Sequence, residues 1–159
     1  MLWVTFILMN LTTFGLFKNL PNLEGLLVDL QFSYSHKQLM LILTEIGEKG
    51  RATYLWANLV DMIFPVFYGS FFAGFLYRFR SREGLWLLAL VPILLAFVDW
   101  GENIQIRAML QAFPDISEAQ TRTASLFTST KQVLVNITLG LFTLVGVFAL
   151  IGKYRNNAE

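Results

Sequence analysis

The stretch LWLLALVPILLAFVDWGENIQI, residues 85–106, decides what kind of protein this is. Residues 85–98 contain no charged or amide side chain, and Asp99, Glu102 and Asn103 then follow at i, i+3 and i+4. A helix needs about 20 apolar residues to cross a hydrocarbon core about 30 Å thick, because unpaired backbone groups are not tolerated there. The stretch therefore predicts a membrane helix that carries one polar face near one end.

Outward from it, three more segments approach or meet the same length: residues 1–17, 52–77 and 126–152. With 55% hydrophobic and only 14% charged residues in 159 positions, the chain is far more apolar than a soluble domain, where charged residues make up about 25%. The expected fold class is all-α: an integral membrane four-helix bundle, one membrane domain over residues 1–159. Residues 1–17 lack a basic leader region and a small-x-small cleavage site and carry Asn10 mid-segment, which predicts an uncleaved helix rather than a secretory signal.

Arg78, Arg80 and Arg82 crowd the short turn after the second span, and Lys153 and Arg155 follow the fourth. By the density of basic residues both ends of the chain are expected on the cytoplasmic side of a multi-pass protein. Residues 18–51 are more than linker. Leu23, Leu26, Leu27 and Leu30 recur at helical spacing, and Ser35 with Gln38 forms a capping-box pair ahead of Leu39, Ile42, Leu43 and Ile46. Two short amphipathic interfacial helices are expected, with Gly47 and Gly50 breaking the second before the next span. Ser117 and Gln120 repeat the capping-box spacing, so the last helix is expected to begin well before residue 126.

The informative residues are the polar ones inside these spans. Tyr54, Asn58, Asp61, Pro65 and Tyr68 step by four, three, four and three, which puts them on one face. Thr128, Gln132, Asn136, Gly140 and Thr143 form a stripe on the last helix, with Lys131 beside it. A charged side chain at the bilayer centre costs about 2.5 to 3.5 kcal/mol on insertion scales, so inward carboxylates need a partner, a proton or water. Asp61, Asp99 and Glu102 outnumber Lys131, and a bound cation, a ligand amine or a proton shared between Asp99 and Glu102 would restore the balance.

The expected function is a polar, acidic pocket toward the outer leaflet that binds a lipid-soluble or amine-bearing small molecule. Its expected ligand-binding residues are Asp61, Asp99, Glu102, Asn103, Asn58, Tyr68, Lys131 and Asn136. Two other classes stand beside it. In a membrane-embedded acid/base enzyme acting on a lipid or isoprenoid, Asp99 and Glu102 are the catalytic pair. In a non-catalytic accessory subunit, the polar faces dock on a membrane-protein partner. The bland reading, interhelical hydrogen bonding, suits Asn58, Asn136 and the threonines better than the carboxylates, since charge is a costly way to join helices. Membrane lipid is an expected partner, whereas a net charge of +1 argues against nucleic acid.

No cysteine is present and His36 is the sole histidine, which removes thiol chemistry, cysteine-ligated metals, multi-histidine metal sites and an intramembrane Ser-His-Asp triad. No cofactor is implied. An all-carboxylate site for a hard cation is the one metal option the residues leave open. The run Gly47-Glu48-Lys49-Gly50-Arg51 has the wrong spacing for a phosphate loop and reads as a turn.

Overall fold

The computed structural model describes residue 28, residues 31–79 and residues 85–156. The expected first span, residues 1–17, and the leucine-rich segment up to Leu30 lie outside the described residues, apart from Val28. Among the described residues all regular structure is helical: α1 His36–Glu45, α2 Gly47–Asp61, α3 Phe64–Arg78, a 3-10 turn Leu85–Ala89, α4 Leu90–Ala112 and α5 Glu118–Asn156.

α1 starts where the capping box put it. Gln38 N–H donates to Ser35 Oγ at 3.3 Å, and Ser35 N–H donates back to Gln38 Oε1 at 2.8 Å. It ends at Ile46, and Gly47, with φ of 64°, takes the left-handed conformation that reverses the chain. Gly47 therefore acts as the break, but Gly50 does not, because α2 begins at Gly47 and carries Gly50 buried within it. At the other end of the chain Gln120 N–H donates to Ser117 Oγ at 3.1 Å, and α5 begins at Glu118.

The expected helix 52–77 is two helices. Pro65 has no N–H to give the Asp61 carbonyl, and Met62 and Ile63 form the break between α2 and α3. Treated together, Gly47–Arg78 is one of three stretches long and apolar enough to cross a membrane, with Trp86–Ala112 and Glu118–Gly152. At about 1.5 Å per residue all three exceed a hydrocarbon core of about 30 Å.

The excess length is used at one end. There Leu39, Ile42 and Leu43 of α1 join Tyr54, Ile106, Met109, Leu110, Ile116 and Ala124 in a buried apolar core like that of a soluble protein. Arg51 ties this capped end together, donating to the Leu43 carbonyl at 2.7 Å while its guanidinium lies 4.2 Å from the Phe113 ring centroid. The far end is different in kind. Leu90, Leu94, Phe97, Leu144, Val147 and Phe148 are exposed, as side chains facing lipid would be. What joins the helices there is close approach and ring packing. A Cβ on Gly69 of α3 would lie 3.1 Å from Ala96 Cβ of α4, and the Phe142 ring of α5 packs on Phe72 and Phe75 of α3 at 5.2 and 4.4 Å between centroids.

Candidate functional site

Between the capped end and the lipid-like end, four helices converge on one polar cluster. α4 contributes the most. Its i, i+3, i+4 spacing buries Asp99, Glu102 and Asn103 together, at 6%, 0% and 2% exposure. α5 supplies Lys131, whose ammonium forms ion pairs with Glu102 and, at 3.4 Å, with Asp99. Gly101 lies between these carboxylates against the Phe127 ring, where any Cβ would collide with it, so the small residue brings α4 close enough to α5 for the ion pairs to form.

α2 and α3 close the other side. Asn103 Nδ2 donates to Asp61 Oδ2 at 3.1 Å, and Asn58 Nδ2 donates to both the backbone carbonyl and Oδ1 of Asn103 at 3.2 Å. Tyr68 donates its hydroxyl proton to Asp99 Oδ2 at 2.8 Å. At the helix break Trp100 Nε1–H donates to the Met62 carbonyl at 2.8 Å, filling an acceptor on the kinked backbone and fixing the indole against the cluster. Asp61, Met62, Tyr68 and Trp100 are half-buried, and exposed Val60, Ile63, Phe67, Phe97 and Ile104 surround them. The cluster is therefore partly accessible beside the break, at Asp61, Tyr68 and Trp100.

Seven of the eight expected ligand-binding residues lie in this cluster as two bonded groups, Asn58 with Asn103 and Asp61, and Tyr68 with Asp99, Lys131 and Glu102. Asn136 does not. It is exposed, and its Nδ2 donates to the Gln132 carbonyl of its own helix at 2.9 Å. Two residues matter here that the sequence pattern did not single out for it. Met62 offers the carbonyl held by Trp100; the signal for it was Pro65 three residues later. Thr138 is 1% exposed, yet its hydroxyl has no hydrogen-bond partner, whereas Thr128, Thr130 and Thr143 on the same helix each donate to the carbonyl four residues earlier.

Lys131 lies 16% exposed in its side chain, drawn inward to the carboxylates rather than extended to the surface. Among the described residues no three acidic or histidine side chains are placed to hold a metal ion. The chemistry on offer is that of carboxylates in an apolar frame: binding a cation, accepting hydrogen bonds, and passing a proton along Tyr68, Asp99, Lys131 and Glu102. Comparison with protein-family models, with curated proteins and with solved structures returns no match.

Proposed function

We propose that this chain is a multi-pass membrane protein that binds a lipid-soluble amine in the carboxylate cluster of Asp61, Asp99 and Glu102. In this reading residues 1–17 supply a fourth membrane helix, the capped end lies on the outer side, and both termini are cytoplasmic. The observation that carries it is the direction of the charges. Asp99 and Glu102 are buried between helices, not displayed to lipid as a surface awaiting a partner subunit would display them. Carboxylates inside a bundle at membrane depth are costly, and three of them in one site select for a cation over an anion or a neutral group. The half-buried seam at Asp61, Tyr68 and Trp100 opens sideways, which suits a ligand that arrives through the membrane; the indole and phenol rings suit a cationic head as well.

The test uses detergent-purified full-length chain and dodecylamine as probe, with dodecanol as the neutral control of the same tail. Dodecylamine is expected to raise the unfolding temperature and dodecanol to leave it unchanged. Asp61→Asn is expected to abolish the amine effect while keeping its hydrogen bond from Asn103. Equal shifts by both probes, or an undiminished shift in Asp61→Asn, overturns the reading.

One observation favours the acid/base alternative enough to state it. Tyr68, Asp99, Lys131 and Glu102 form a continuous chain of proton-bearing groups, the arrangement a proton transfer to a lipid alkene would use. Turnover of a lipid substrate that is lost in Glu102→Gln, with the fold intact, would establish it.

A further inference from the structure

Exposed charge stops at sharp edges on each of the long helices. On α2 the exposed Glu48 and Lys49 give way at Trp56, and from Leu59 to Gly74 no exposed side chain is charged and only Ser70 is polar. Exposed Tyr77 and Arg78 close that run. Through the 3-10 turn and α4 every exposed side chain from Leu87 to Ile104 is apolar, with exposed Trp86 before them and exposed Gln111 after. On α5 exposed Glu118 and Arg122 precede exposed Leu126, and no charged side chain is exposed from there to Gly152. The polar side chains exposed in that run, Thr130, Asn136 and Thr143, each donate to the carbonyl four residues earlier, so each finds a partner within its own helix.

The runs have the length of a bilayer. Trp56 and Tyr77 are 21 residues apart, about 31 Å of helical path, and Trp86 and Ile104 are 18 apart, about 27 Å, against a hydrocarbon core of about 30 Å. They also share an edge. Asn58 bonds to Asn103 and Glu102 to Lys131, which sets the start of the α2 run, the end of the α4 run and the start of the α5 run side by side. Tryptophan and tyrosine with arginine nearby are the residues that stand at headgroup level. A face covered by another protein has no reason to end at one level on three helices with such residues at its rims. Asp61 lies five residues past Trp56 and Lys131 five past Leu126, about 7.5 Å in each case, so two helices place the carboxylate cluster at one depth.

We propose that this band is the surface covered by the hydrocarbon of a lipid bilayer. One edge passes through Trp56, Ile104 and Leu126, and the other through Tyr77 and Trp86. α1 and the apolar core packed against it then stand outside the hydrocarbon, and the carboxylate cluster lies in the leaflet nearer α1, about 7.5 Å below its edge. The proposal rests on the membrane reading above and adds the edges and the depth; it is independent of the amine.

The chain has no cysteine, so a nitroxide can be attached at single exposed positions. Lys49→Cys, Arg122→Cys, Leu59→Cys, Ile63→Cys, Leu94→Cys and Phe97→Cys are each labelled and placed in dioleoylphosphatidylcholine nanodiscs, both faces of which meet water. Electron paramagnetic resonance then reads collisions with oxygen, which concentrates in hydrocarbon, and with a water-soluble nickel chelate. Labels at positions 49 and 122 should collide with nickel. Labels at positions 63, 94 and 97 should lose the nickel collisions and gain those with oxygen, with position 59 intermediate. Oxygen contact without nickel at position 49 or 122, or nickel contact at only one of positions 63, 94 and 97, would move the edges and overturn the proposal while the membrane reading stands. Protection from both reagents at positions 63 and 97 would give the band to a second copy or another protein, and overturns it as well. Nickel contact at all six positions would overturn the membrane reading itself, which separates the two failures.

Discussion

Lys131 and Thr138 sit two turns apart on the same side of α5 and pose opposite problems. Lys131 neutralises groups that could not otherwise remain buried, because Glu102 is fully inside and Asp99 nearly so. Lys131→Met keeps the apolar length and removes the ammonium, and the loss of stability expected for one partner of a buried ion pair is about 3 to 5 kcal/mol. Reversible unfolding in mixed detergent measures it; a change within experimental error would mean that the ion pairs contribute nothing. Thr138→Val should go the other way, neutral or stabilising by about 1 kcal/mol, since it replaces an unpartnered buried hydroxyl with a methyl group. The clustering of the carboxylates was legible because charge within an apolar helix is rare enough to need a buried partner. Which polar residues of α5 join them was not legible. At about 100° per residue Thr138 returns to within about 20° of Lys131, whereas Asn136 lies about 140° around the helix. Both stripes are polar in sequence, and only packing against α4 decides which one faces the cluster.

Helix ends were legible where the signal is local. Ser35 with Gln38 and Ser117 with Gln120 start their helices as the capping chemistry requires, because a cap involves only residues three apart. Ser35→Ala should lose about 1 kcal/mol of local stability, seen as faster amide exchange across His36–Glu45 with the carboxylate network unaffected. The break between α2 and α3 was harder to read. Membrane helices tolerate proline when neighbours satisfy the freed carbonyls, so Pro65 alone did not announce an interruption. At the break Trp100, thirty-five residues from Pro65 in sequence, donates to the adjacent Met62 carbonyl, and no local pattern links the two. Trp100→Phe keeps the ring and removes the N–H; a loss of about 1 kcal/mol is expected, together with weaker amine binding from a loosened seam. The ends of the apolar helices were read short because hydropathy marks only what lipid covers, and the chain carries α2, α4 and α5 beyond that to pack against α1.

At the scale of the whole molecule, a chain with 55% hydrophobic and 14% charged residues has the composition expected of a membrane protein. The three long helices agree with it, with their exposed leucines and phenylalanines at the end away from α1. What departs from that pattern is a carboxylate cluster between two apolar regions, one packed by the protein and one with exposed apolar side chains. The cluster has one side where α4 and α5 are joined by ion pairs, and a kinked side, α2 and α3. That division suits capture of a ligand from the membrane by a site already formed. The most direct test is native mass spectrometry of the chain extracted gently from its own membrane. The account predicts a protomer carrying one discrete additional mass, displaced by dodecylamine and missing in Asp99→Asn. A protomer with no added mass that also fails to take up dodecylamine, or an added mass that persists unchanged in Asp99→Asn, would contradict it.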